Sequence, residues 1–165
     1  MSYHNILSKT DRALAAYLIA QGAGTSPDVL PAKASLDKAA PCTVCFSERA
    51  TLINPNTGLY DVTVAVMVKT IGAIDTDQAD GTPKEDSEER VAKTFDALFA
   101  GLDDATDKLA DALTLAARAS ADNDLEDFTA IAVQVHSVEA GFEPKGSVWI
   151  DTINLVVTCC PRDVS

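Results

Sequence analysis

Tyr60, Val62, Val64, Val66 and Val68 stand at every second position, with Asp61, Thr63, Met67 and Lys69 between them. A period of two places all five on one side of a strand, and no helix can gather them into a single stripe. One face so apolar must be covered, so the chain needs a sheet with a second layer against it. That requirement constrains everything else.

Upstream, Cys42, Val44 and Phe46 alternate with Thr43, Cys45 and Ser47, and Asn54-Pro55-Asn56-Thr57-Gly58 is a cluster of turn formers. Two antiparallel strands follow, Pro41 to Arg49 and the valine strand, joined by a long loop from Arg49 to Gly58. The C-terminal third repeats the pattern. Thr129, Ile131, Val133 and Val135 are expected on one face of a strand, and Trp149, Ile153, Leu155 and Val157 on one face of the last. Glu139 to Gly146 reads as their hairpin connection. Such clean alternation leaves the opposite sheet face solvated or used for contact.

The remaining segments have a helical period. Tyr3, Leu7, Leu14, Tyr17 and Leu18 recur at sums of three and four, with alanines in the turns, and Gly22 and Gly24 stop the run. Pro27 and Pro31 prevent a restart, so Thr25 to Ala40 reads as a loop with a short extended piece at Ala32 to Leu36. Residues 72–90 read as a mobile acidic loop whose end becomes the first turn of a helix carrying Val91, Phe95, Leu98, Phe99 and Leu102. A second helix starts at Asp103 or Asp104 and buries Leu109, Ala112, Leu113 and Ala116. Asp122 to Asp127 reads as an acidic turn. The order is helix, two strands, two helices, two strands. It predicts a single α+β domain over residues 1–165, an antiparallel sheet of about four strands with the N-terminal helix and the central helical pair on one face.

The formal charge of −12 argues against gripping a nucleic-acid backbone or an anionic membrane through a basic face. Residues 72–127 hold nearly all of it, leaving an acidic region and a near-neutral remainder. The longest apolar runs are strand-sized, far below a membrane span. The N-terminal stretch has no charged segment leading into a continuous apolar run, so no signal peptide is expected. The four cysteines are then expected as reduced thiols in a cytoplasm.

Candidate chemistry is sparse. Cys42-Thr-Val-Cys45 with Cys159-Cys160 suggests zinc or redox work. Both pairs fall in strand-patterned runs, where adjacent cysteines point to opposite faces and no helix N-terminus activates a thiol. Small buried hydrophobes are the better reading. Asp75-Thr-Asp77-Gln-Ala-Asp80-Gly81 resembles a calcium loop, but Ala79 takes a ligand position, the glycine comes one residue late and position twelve is Asp86. His4 and His136 are the only imidazoles, with no nucleophile or second histidine placed beside them. No catalytic residue, metal ligand or cofactor is therefore expected. Trp149, the only tryptophan, fits either core packing or a subunit contact.

This arrangement resembles the tail terminator, or tail-completion, proteins from the neck of long-tailed bacteriophages. The likeness covers most of the chain: a helix from Asn5 to Gln21 ending in glycine, a proline-bounded strand from Pro41 to Arg49, Thr57-Gly58-Leu59-Tyr60 leading into the valine strand, the helical pair from Val91 to Arg118, and a late strand opening Gly146-Ser-Val-Trp149. The acidic stretch from Asp75 to Glu89 is an addition to that pattern. The resemblance implies a non-enzymatic virion protein, assembled in the host cytoplasm, that forms a six-fold ring with itself. It would cap the tail tube, meet the tube protein and the neck or head-completion protein, bind no DNA sequence, and have DNA pass nearby at most. It also makes Trp149, Arg49, Asn54 and Asn56 candidate subunit contacts. Another neck or tail component, such as a stopper or tube protein, is the alternative, and a small cysteine-based zinc or thiol module is a more distant one.

Overall fold

The computed structural model describes residues 3–23, 29–31, 42–71, 85–99, 106–143 and 148–160. The elements in chain order are helix α1 (Tyr3–Ala20), strands β1 (Val29–Pro31), β2 (Cys42–Asn54) and β3 (Leu59–Ile71), helices α2 (Glu85–Phe99) and α3 (Thr106–Ala119), a 3₁₀ turn (Asn123–Leu125), and strands β4 (Thr129–Glu143) and β5 (Val148–Cys160). The four long strands form one antiparallel sheet in the order β2-β3-β5-β4, and β1 adds a short parallel strand outside β2. This is the α+β fold the periodicities demand.

The valine stripe faces the helices. Val62, Val64 and Val66 pair across to Val157, Leu155 and Ile153, and all six are fully buried. Against them lie Leu14, Leu18, Leu98 and Leu113 from the three helices, with Leu125 and Phe128 closing the end under the 3₁₀ turn. Burying each such side chain contributes roughly 1.5–3 kcal/mol, so this layer dominates the stability. Tyr17 ties α1 to α2 by donating its hydroxyl to the Ala97 carbonyl.

α1 ends as its glycine predicts. Gly22 takes φ +77°, its N–H donates to the Ile19 carbonyl at 3.0 Å, and the Ala23 N–H donates to the Leu18 carbonyl at 2.9 Å. The pair of bonds caps two carbonyls that the helix itself leaves unpaired. α3 is locked to β4 by Thr114, whose Oγ1 accepts from the Ala130 N–H at 2.9 Å, and by Arg118, whose Nε donates to the Phe128 carbonyl at 3.1 Å.

Several expectations need correction. β2 continues past Arg49 to Asn54, and β4 past Glu139 to Glu143, so both supposed loops are largely strand. Cross-strand pairing outweighs the weak propensities of Asn54, Ala140 and Gly141. Ile131 does not share the core face with Val133: a register shift between Ala130 and Ala132 turns it out, 49% exposed. The helix after the acidic stretch already begins at Glu85. The extended piece near residue 30 is Val29–Pro31; the segment named for it, 32–36, lies outside the described residues. So do residues 72–84 and the proposed helix start at 103–104.

Candidate interaction surface

The sheet face away from the helices carries short polar side chains in cross-strand pairs. Thr158 Oγ1 donates to Asp61 Oδ1 at 2.6 Å, and Asn154 Nδ2 donates to Ser137 Oγ at 2.9 Å. Thr63, Met67, Lys69, Thr152 and Val156 complete it, all half-buried. One corner is different: Cys42, Val44 and Ala65 are buried there, so part of the face expected to be solvated or used for contact is covered. In the two hydrogen-bonded pairs each short polar group is satisfied by its cross-strand neighbour.

Two of the four candidate contact residues, Asn54 and Asn56, meet at one end of the sheet, and Arg49 lies five residues back along β2, opposite Thr63. Arg49 is exposed on β2, Asn54 ends that strand, and Asn56 is exposed in the turn. The Asn54 side chain shapes the turn by accepting from the Asn56 N–H at 3.0 Å, while Gly58 at φ +66° donates its N–H to the Asn54 carbonyl at 3.0 Å. Trp149 is elsewhere. It pairs with Thr70 and Phe142 at the opposite end, ten residues and about 33 Å along the strand from the Tyr60–Cys159 pair, and its side chain lies outside the described residues. The four do not form one patch.

The structure adds apolar residues that the periodicity hid. Leu52 and Ile53 on β2, Ile131 and Val138 on β4, and Leu115 on α3 are 41–70% exposed. Four of them lie on the two long strands at the sides of the sheet. Each of these strands carries two bulges: Glu48 and Ile53 are the extra residues on β2, Ile131 and His136 on β4. A bulge adds one residue against a regular partner, so no periodicity within a single strand reveals it.

The cysteines occupy two distant places. Cys42 and Cys45 lie on opposite faces of β2, as Cys159 and Cys160 do on β5. Cys45 lies in the row of Val66 and Ile153, and Cys159 in the row of Tyr60, six residues along and about 20 Å away. Four sulfurs so placed cannot converge on one ion, and all four are buried thiols outside any disulfide. Burial pushes the Cys159 thiol up to about 12 and raises Cys45 still further, the nearby Asp11 adding to the effect at Cys45. Neither is a ready nucleophile. His136 stands exposed at its bulge in mid-strand.

A buried carboxyl was also missed. Asp11 sits on the apolar stripe between Leu7 and Leu14, accepts a hydrogen bond from Ser47 Oγ, and is 5% exposed. Its spacing from Leu7, Leu14 and Leu18 was the available signal. Burial, partly offset by Ser47 and Arg12, raises its pKa to about 7. Beside it, Arg12 turns outward to pair with Asp122 at 2.5 Å and Asp124 at 3.4 Å. That ion pair rims a shallow groove of about 480 Å³ between α1 and α3, lined mainly by Ala15, Ala16, Ile19, Ala116 and Leu125. The ion pair is the charged edge of the groove, and the rest of its wall is mostly apolar. Among the described residues no cluster of three or more His, Cys, Asp or Glu could hold a metal, and no helix is long and apolar enough to cross a membrane. Comparison with known proteins adds no kinship: no family model matches the sequence, and no curated protein matches it.

Proposed function

We propose that this chain is a structural virion protein of the phage neck or tail end, capping the tail tube as a six-fold ring and joining it to the head–neck proteins. The observation that carries the reading is the order and layering of elements: a helix, a hairpin, a helical pair and a second hairpin, building one sheet with helices on a single face. That order is the one on which the tail terminator resemblance rests. A ring subunit must meet neighbours beside, above and below it. The polar sheet face, the two long side strands and the turns at the sheet's ends offer such surfaces. The paired short polar groups of the sheet face and the buried thiols are compatible with a contact role. The net charge of −12 suits a wall beside a DNA channel, which should repel the duplex rather than hold it.

Purified particles provide the test. Quantitative mass spectrometry should find about six copies per particle, and antibody-labelled particles should carry the label at the head–tail junction. Absence of the protein from purified particles would defeat the reading.

A further inference from the structure

The sheet has two unclosed sides. β1 covers β2 only at Thr43 to Cys45, which leaves β2 from Phe46 to Asn54 without a strand neighbour on its outer side among the described residues. On the other side, β4 pairs with β5 alone among the described residues. Its start is blunted: the Ala130 N–H donates to Thr114 Oγ1, whose hydroxyl also lies near the Ala130 carbonyl, and Arg118 donates to Thr129 Oγ1. Unpaired edges of this length invite strand addition, and proteins that avoid it place charges on the edge or bend it away with bulges. Bulges are present here, yet two of the four extra residues are isoleucines, each 49% exposed. Isoleucine protects an edge poorly.

The irregularities match in height to within one row. Arg49, Thr63, Val156 and Gln134 form one continuous row across the sheet, as do Thr51, Asp61, Thr158 and Ala132. On both edge strands these rows lie in a regular stretch of four residues, Arg49 to Leu52 on β2 and Ala132 to Val135 on β4. At one end of that stretch stand Ile53 and Ile131, and at the other Glu48 and His136. Polarity agrees as well, since three antiparallel steps make β4 run opposite to β2. A second copy set beside the first in the same orientation would therefore bring its β2 antiparallel to β4.

We infer that the open edge of β4 in one copy pairs with the open edge of β2 in the next, head to tail, continuing the sheet from subunit to subunit. Arg49 falls opposite Gln134 and Thr51 opposite Ala132, with every side chain keeping its face. Leu52 and Ile53 close over Ile131, and Glu48 comes beside His136. The contact is heterologous, so it generates a ring where the rotation closes. Closing a sheet requires a stagger between strands, and a shift of two residues, about 7 Å, preserves the faces. Identification of the occupant as a second copy rests on the ring reading above; the matched edges are independent of it.

Cysteine cross-linking of the full chain tests the contact. Within one chain β2 and β4 are three strand spacings apart, about 14 Å, too far for a disulfide. The double variant Leu52→Cys/Ile131→Cys reports the unstaggered register, and Thr51→Cys/Gln134→Cys reports a two-residue stagger. All four positions are exposed, so circular dichroism should match the parent. Oxidation should be carried out at about 1 M salt, where screening within about 3 Å suppresses the repulsion between acidic subunits. One double variant should give a ladder of covalent oligomers on a non-reducing gel, while the parent and the four single variants stay monomeric. Dimers from a single variant would show an edge pairing with itself and overturn the head-to-tail contact. Monomers from both doubles would overturn it too. Ladders from a protein absent from particles would keep the contact and reject the virion reading, so the two claims fail separately.

Discussion

Asp11 is held in the layer between α1 and the sheet, where Ser47 is its hydrogen-bond donor and Cys45 a close neighbour. Burial lifts its carboxyl from the ordinary 3.8 to about 7. The native state therefore binds a proton that the unfolded chain releases between those values, and stability should fall as pH rises through that window. The slope is about 1.4 kcal/mol per pH unit and the total is of order 4 kcal/mol, constant above pH 7 and absent below pH 4. Asp11→Asn keeps an acceptor for Ser47 and removes the titration. In urea melts, the stability of Asp11→Asn relative to the parent should rise from pH 4 to pH 7 and then level off. A difference that stays flat with pH would show that the carboxyl is ionised and accommodated in the native state. Asp11 was legible only as an oddity, a carboxylate on a helix's apolar stripe. That Ser47 would meet it depends on the packing of helix on sheet, which neither segment encodes alone.

Among the elements, α1 has the most sharply defined end. Gly22 at φ +77° has nothing within 4 Å of where a Cβ would lie, so a substitution there costs backbone conformation and no packing. Gly22→Ala should destabilise by about 1–2 kcal/mol, and Gly22→Asn by less, because asparagine tolerates the left-handed region. Chemical denaturation of both variants checks this; an alanine variant as stable as the parent would mean the helix ends differently. The helices and long strands were readable because Val62 to Val68 and Leu14 to Leu18 repeat with the period of their element. Two things were not. β1 has three residues, too few to show a period, and exists through its pairing with Thr43 to Cys45. The bulges at Glu48, Ile53, Ile131 and His136 are properties of strand pairs, and one of them reversed the face assigned to Ile131. The exposed isoleucines carry the same lesson: Ile131 reads as a core residue and Ile53 as part of a loop, and the pairing of strands places both at bulges.

At the scale of the whole molecule, the net charge of −12 opposes association in solution, and repulsion between subunits is screened within about 8 Å at physiological salt. Free subunits should stay monomeric or associate weakly, and assemble where the end of a tail tube supplies further contacts. On the proposed reading, a ring in that place would end tube growth and present a new surface to the neck. Tail length and head joining should then depend on this one chain. Electron microscopy of particles made with the gene deleted measures both. The account predicts tails of uncontrolled length, or tails that never join heads, with normal particles restored when the intact chain is supplied. Tails of normal length, joined to heads in its absence, would contradict it.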